Sequence, residues 1–263
     1  MAGEKSIPEI LLKKDVFVSS DYVRILETEV MRLDAPYYSD IFMQAKKVVE
    51  RSPYPVVPLI ELCDDIFRLN QFKRVWSDKK HGHPYMSATD LFYFKPLREQ
   101  ENPSRAYVAR GQHGEYAKIK SAKKQDSIMH KKEGEERFFV EEGWILVSCS
   151  GSVGRLMLVT KSLSNIFFSH DFIRIVPKKE TLAGYLYAYL NSRVGQAFLK
   201  RDKYGGWVKH IEPEQIKSIP VVLLPKNVQK KIHRKVILTY QHREDFLKGE
   251  SFTVDKINSF LSS

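Results

Sequence analysis

Residues 143–176, G-W-I-L-V-S-C-S-G-S-V-G-R-L-M-L-V-T-K-S-L-S-N-I-F-F-S-H-D-F-I-R-I-V, restrict the fold of this chain more than any other stretch. Two apolar runs meet at Gly151-Ser152-Val153-Gly154 and a third follows the polar residues 161–165, a pattern that predicts a β-meander. Arg155 stands at the tip of the first hairpin, and Ser148, Ser150, His170 and Asp171 interrupt the apolar runs. The stretch is therefore either a scaffold that presents polar groups or plain core, with Trp144, Val147, Phe168 and Ile173 as the expected floor of the domain.

A chain of 263 residues with 43% hydrophobic residues can bury a sizeable core, as one large domain or as a domain with appendages. No run of about 18 apolar residues occurs, and M-A-G-E-K-S-I-P lacks the basic-then-apolar order of a secretory signal. A soluble, cytoplasmic protein with no membrane segment is expected. Cys63 and Cys149 have no second cysteine or close histidine at metal-ligand spacing, so both are read as buried free thiols and no metal site is expected. The excess of 43 Lys and Arg over 32 Asp and Glu, a formal charge of +11, attracts polyanions through a long-range field. Nucleic acid is the first candidate, and the distribution of charge matters more than its sum.

Residues 1–31 read as an N-terminal arm, with the apolar run Val16-Phe17-Val18 and a helix-like segment over 20–31. Ile41, Phe42, Ala45, Val48 and Val49 recur at helical spacing until Ser52-Pro53 stops the helix, a stripe read as core packing. Prolines 53, 55 and 58 bracket an extended segment, followed by a brief apolar element over 59–67. N-Q-F-K-R-V-W-S-D-K-K over 70–80 is basic and aromatic, the mix used by nucleic-acid surfaces. Residues 81–85 are read as a turn leading into a strand and small cap in M-S-A-T-D-L-F-Y-F. Residues 96–132 are polar and aperiodic, and in A-K-I-K-S-A-K-K-Q-D-S-I-M-H-K-K six lysines face one aspartate. A charge run is usually a solvated face, but this one lies between strand-rich parts, where a loop reaches a ligand from a rigid scaffold.

Beyond residue 180 the chain turns helical. Leu182, Tyr185, Leu186, Tyr189, Leu190, Val194, Ala197 and Phe198 predict one helix of about four turns ending at Lys200-Arg201, its tyrosines read as core. Gly205 to His210 make a flexible turn and a basic, aromatic segment, and Ile211, Ile216, Ile219 and residues 221–224 return to apolar packing with Pro220 and Pro225 as stops. A second, strongly basic helix is expected over 226–248, with a separate amphipathic piece over 254–261. Such a helix wants a partner surface: another helix, another subunit or DNA phosphates.

Most catalytic equipment is missing. There is no G-x-x-x-x-G-K-[ST] loop, H-E-x-x-H, C-x-x-C pair or G-x-S-x-G elbow. Gly151 to Gly154 read as a hairpin turn in preference to a phosphate loop, and Asn102-Pro103-Ser104-Arg105 lacks the second proline and aromatic of an adenine-holding methyltransferase motif. Ser169, His170 and Asp171, if on one strand, point to alternating faces and make no hydrolytic triad, leaving His170 as a hydrogen-bonding residue.

G-W-I-L-V-S-C-S-G-S-V-G-R, S-H-D-F-I-R-I-V-P, G-Y-L-Y-A-Y-L-N-S-R-V-G-Q-A-F-L and G-G-W-V-K-H-I-E-P-E-Q-I-K-S-I-P-V-V-L-L-P, in that order, resemble a target recognition domain of the specificity subunit of type I restriction-modification systems. R-L-D-A-P-Y-Y and P-Y-M-S-A-T-D-L resemble the entry into such domains, so the likeness spans residues 32–242. Each motif is weak alone; their shared order is specific. The resemblance implies an α/β (mixed α+β) fold: a mostly β globule with packed helices over 32–225, gripping duplex DNA, and a C-terminal helical spacer over 226–263. Typical members carry two recognition domains and two spacers. This sequence shows one of each with a spacer that looks short, so it resembles a half-subunit, either one that pairs with a second copy through the C-terminal helix to read a split site or the recognition part of a larger assembly. By that likeness the chain catalyses nothing and holds no cofactor. A partner adenine methyltransferase carrying S-adenosylmethionine flips out and methylates an adenine, and a restriction/translocase subunit cuts unmethylated DNA in host defence.

The DNA contacts are expected from Lys73, Arg74, Lys79, Lys80 and His81 in the first basic loop and from Arg105, Arg110, Gln112 and His113 in the second. Lys118, Lys120, Lys123 and Lys124 are expected on phosphates, Lys209 and His210 close the groove, and Arg155 is a further candidate. Two rivals remain in view. A stand-alone restriction endonuclease would bind Mg²⁺ through acidic residues such as Asp64, Asp65 and those of 133–142, and a sequence-indifferent RNA or single-strand binder would stack bases on Trp76, Tyr85 and Trp207. A basic module that binds only protein is the bland reading.

Overall fold

In the computed structural model, residues 39–72, 74–90, 105–110, 138–164, 166–201 and 210–261 are described, with the backbone of 15–17 and 24–26. The chain order is β1 (Asp15–Phe17), β2 (Arg24–Leu26), α1 (Asp40–Glu50), β3 (Val56–Pro58), β4 (Cys63–Arg68), β5 (Trp76–Ser77), β6 (Gly82–Met86), β7 (Tyr107–Ala109), β8 (Ile145–Ser148), β9 (Leu156–Leu158), β10 (Phe167–Phe168), β11 (Phe172–Pro177), α2 (Ala183–Asn191), α3 (Arg193–Arg201), α4 (Pro213–Lys217), β12 (Pro220–Val222) and α5 (Lys226–Leu261). The result is a mixed α/β fold: two four-stranded sheets with packed helices, and a long C-terminal helix.

The first sheet has the order β10-β6-β7-β5 and the second β4-β11-β8-β9, with short two-stranded pairs β1-β2 and β3-β12 beside them. The hairpin β8-β9 forms as its sequence predicts, and Gly151 and Gly154 take the positive φ (66° and 87°) that its turn requires. The third strand departs from a meander. β11 pairs with β8 on the side away from β9, while β10 joins the other sheet, parallel to β6. The stretch thus stitches the two sheets together. Every residue of β8 is buried, as are all of β11 except Pro177, so both faces of the second sheet are covered. Trp144, Val147, Phe168 and Ile173 lie in this core, and Cys63 and Cys149 are buried and free. Burial pushes both thiols up to about 12, so they are inert packing groups.

α1 buries Phe42, Ala45 and Val49 against α3, but Ile41 and Val48 of the predicted stripe are exposed. Several local expectations are corrected. Residues 24–26 of the helix-like arm segment are a strand, paired antiparallel with Asp15–Phe17. The four-turn helix breaks at Ser192, whose backbone is extended (φ −65°, ψ 164°), giving α2 and α3. Pro220 is no stop; it sits in strand β12, paired with Pro58 of β3. Residues 82–85 belong to a strand and not to a turn. The C-terminal helix, expected to be short, runs for 36 residues with no break at Gly249, about 54 Å at 1.5 Å per residue.

α5 meets the globule over its first half. It packs against α2, where His233 Nδ1 accepts the N–H of Gly184 at 3.0 Å. Tyr240 packs edge-on against Tyr187, and its hydroxyl accepts the N–H of Leu158 at 3.0 Å. Among the described residues β9 is an edge strand, so this hydroxyl satisfies a donor that has no described strand beside it. Glu244 accepts from Ser162 at 2.6 Å one turn further on. From residue 248 to 261 every side chain is exposed, including Phe252, Val254, Ile257, Phe260 and Leu261.

Candidate nucleic-acid interface

β7 is the centre of the basic surface. It lies between β5 and β6 and runs antiparallel to both, so the connection over 78–81 crosses β7 to reach the far side. Gly82 makes the crossing fit: a Cβ there would lie 2.8 Å from Tyr107 Cβ and 3.0 Å from the Asp78 carbonyl oxygen. Asp78 organises the connection, accepting the N–H groups of Lys80 and His81 at 2.9 Å each and contacting His81 Nδ1 at 2.9 Å. These hydrogen bonds, led by the His81 ring, hold the Asp78 carboxyl below its ordinary value. Lys79, Lys80 and His81 are thereby exposed on an ordered turn.

Arg110 joins them. Its N–H donates to the His81 carbonyl at 3.2 Å, and Ala109 is registered opposite Gly82, so Arg110 is exposed beside the crossing. Arg105 is exposed at the opposite end of β7. A second group lies at the β8-β9 hairpin, where Arg155 is exposed and His210 forms an isolated bridge with Ser150. Lys73, Gln112, His113, Lys118, Lys120, Lys123, Lys124 and Lys209 lie outside the described residues.

Arg74 is placed differently from its neighbours. It is half-buried, with its guanidinium 3.7 Å from Asp171 Oδ2 and 5.6 Å from the centre of the Tyr85 ring. It belongs to a polar junction that composition did not reveal. The turn between β10 and β11, residues 169–171, is surrounded by three arginines. Arg68 donates to the His170 carbonyl at 3.0 Å and to Glu212 at 2.9 Å, Arg74 pairs with Asp171, and Arg174 donates to the carbonyls of Phe172 at 3.1 Å and Phe168 at 3.2 Å. Arg174 is fully buried, and burial lowers its pKa to about 9, so it stays charged at neutral pH. Because this turn is the shortest of the connections that pass between the two sheets, these bonds help to fix the β7 surface relative to the β8-β9 hairpin. The one signal in the sequence was a single charge inside F-I-R-I-V.

Ser169, His170 and Asp171 thus sit on a turn and not on a strand. Ser169 Oγ donates to Asp171 at 2.9 Å, while His170 Nε2 stands 3.6 Å from the other carboxylate oxygen. The Ser169 hydroxyl thus donates to Asp171 and not to His170, so the three are not arranged as a serine–histidine–carboxylate relay. The His170 ring packs on Phe72, and its Nδ1 is buried without an acceptor or donor among the described residues. Burial first, then Arg74, Arg68 and Arg174, pull the His170 pKa down against the opposing pull of Asp171. Among the described residues no His, Cys, Asp and Glu cluster is arranged to hold a metal ion, and no helix is long and apolar enough to cross a membrane. Asp64 is exposed and Asp65 half-buried on β4. Trp76 and Tyr85, considered as base-stacking residues, pack edge-on against each other at 5.4 Å.

Solved structures similar to this chain include the specificity subunit of a type I restriction-modification system from M. genitalium, at 14% identity over 75% of this chain and 42% of that one, with a TM-score of 0.45. The HsdS subunit from Thermoanaerobacter tengcongensis is similar at 14% identity over 80% of this chain and 46% of that one (TM-score 0.43), and the type IIG restriction endonuclease BpuSI at 13% over 78% and 29% (TM-score 0.47). The chain spans less than half the length of each. A comparison with curated proteins gave no match. The family model for the type I restriction modification DNA specificity domain matches residues 89–237, more than half of the chain, from the lead-in to β7 through the first turns of α5. The chain belongs to the type I restriction-modification DNA specificity domain family.

Proposed function

We propose that this chain is a non-catalytic reader that binds one half of a bipartite duplex DNA sequence and directs a partner adenine methyltransferase, and with it a restriction subunit, to that site. The family match over residues 89–237 carries the reading. The exposed side chains of Lys79, Lys80, His81 and Arg110 around β7 support it, since Arg and Lys reach phosphates and base edges from ordered turns. Arg105, Arg155 and His210 extend the contact, and Gln112, His113, Lys118, Lys120, Lys123, Lys124 and Lys209 complete it. Arg74 serves as a strut behind this surface.

In this reading residues 32–225 are the recognition unit, 226–263 the spacer and 1–31 an arm, and S-adenosylmethionine belongs to the partner in the cytoplasm. The spacer has a second role: Leu247, Val254, Ile257 and Leu261 fall on one seven-residue repeat, the seam a paired helix needs. A second copy or another spacer covers it. Selection of bound duplexes from a randomised pool by the purified chain tests the reading. It predicts one enriched motif, no plasmid cleavage with Mg²⁺, and co-purification of an adenine methyltransferase from the native host. Cleavage by the chain alone, or a pool that stays random, refutes it.

A further inference from the structure

The N-terminal half of α5 is charged against its own helix. Between Lys226 and Arg243 there are six Lys and Arg and no Asp or Glu, whereas Glu244 to Leu261 hold Glu244, Asp245, Glu250 and Asp255 against Lys248 and Lys256. The helix macrodipole favours the opposite arrangement, anions at the N-terminus and cations at the C-terminus. Lys226, Lys230 and Arg234 also repeat at intervals of four, as do Lys231 and Lys235, so like charges stack along the surface. Both features oppose helix stability.

The five residues Lys226, Lys230, Lys231, Arg234 and Lys235 are exposed, and none has a carboxylate partner among the described residues. Lys231, Arg234 and Lys235 lie on the side of α5 away from Gln229, His233, Val236 and Tyr240, which pack on the globule, and Lys226 and Lys230 flank them along one edge of that face. The apolar repeat Leu247, Val254 and Leu261 continues the Val236 and Tyr240 side at the same seven-residue register, so a helix paired there leaves the basic face open.

Resting on the DNA-reading function above, we propose that this face is a second, sequence-independent contact to duplex DNA phosphates, outside the recognition globule. Its composition selects the partner. Four of the five cations are lysines, which are depleted in protein interfaces but are used as point charges on phosphate. From Lys226 to Lys235 the helix rises about 14 Å, and at 3.4 Å per phosphate along one strand this face spans about four phosphates.

The test replaces Lys230, Lys231, Arg234 and Lys235 together by Gln, which keeps helix propensity, and measures affinity for the selected duplex and for an unrelated duplex across salt concentration. Lys248→Gln with Lys256→Gln is the control, and circular dichroism verifies the helix in every variant. The quadruple variant is expected to lower the slope of log affinity against log salt by about two to four, equally for both duplexes, with the control unchanged. An unchanged slope in a variant that keeps its helix overturns the proposal, and loss of methyltransferase co-purification at an unchanged slope assigns the face to an acidic protein instead. If the unsubstituted chain shows no salt-dependent duplex binding, the DNA-reading function itself fails and the proposal with it. Specific binding with an insensitive quadruple variant defeats the proposal alone.

Discussion

Replacing Tyr240 by Phe tests how the C-terminal helix α5 is fastened to the globule. Tyr240 is 7% exposed, and its hydroxyl is the acceptor for the Leu158 N–H, a donor on the edge of β9 with no described strand beside it, in a residue 1% exposed. Phe keeps the ring and its edge-on contact with Tyr187 at 5.5 Å, so the change isolates the hydroxyl. The Leu158 N–H is then buried without an acceptor, which costs about 1–3 kcal/mol. Tyr240→Ala also removes the ring and should cost at least about 3–5 kcal/mol, the usual range for deleting a buried aromatic side chain. Equilibrium urea unfolding followed through the buried Trp144 measures both. A loss below about 0.5 kcal/mol for Phe, within the range of inert surface changes, beside a full loss for Ala would refute the hydroxyl as the cap of β9 and leave only the ring as the fastening.

Three further outcomes follow from the geometry. His170 has its pKa held below the ordinary 6.5, so stability is complete above that value and falls as pH drops through it, because the unfolded chain takes up a proton that the folded one refuses. The slope is at most about 1.4 kcal/mol per pH unit, and His170→Gln should flatten this part of an acid titration of stability. Gly249 lies in mid-helix with open space where a Cβ would be, so Gly249→Ala should stabilise α5 by about 0.5–1 kcal/mol, read as a raised midpoint of helix melting by circular dichroism. If Arg110 reads a base, Arg110→Ala should lower discrimination at one position of the selected motif by about 1–3 kcal/mol, whereas an equal loss on all duplexes marks it as a phosphate contact.

Local periodicity foretold what is locally decided. The α1 residues Phe42, Ala45 and Val49, the β8-β9 hairpin with its glycine turn, and the buried cysteines were all legible. Strand partners were not. Whether β11 adds beside β9 or beside β8 depends on contacts across the whole sheet, and the two-residue β10 has no periodicity to read. Gly249 reads as a stop in a sequence window, yet a helix already propagated through more than five turns tolerates it at the loss of a few tenths to one kcal/mol. Ser192 caps α3, its hydroxyl accepting the Gly195 N–H at 3.1 Å, but a single serine inside a continuous apolar period does not show that one helix ends there and another begins. At the basic surface, sequence placed Lys79, Lys80, His81 and Arg110 in two separate loops. The crossing over β7 brings them to one end of a sheet, whereas Arg74, from the same run of residues, turns inward to Asp171. Arg174 escaped notice because a buried arginine is recognised by its carbonyl acceptors and not by its position in a strand.

The most direct test of the account is an equilibrium competition in about 0.15 M salt between the selected duplex, the same duplex with its motif scrambled, and an unrelated RNA. A sequence-specific reader predicts a preference of about 10³-fold or more for the intact motif over the scrambled duplex, with RNA a poor competitor. Equal competition by all three would contradict the account and leave a basic chain that binds polyanions without reading them.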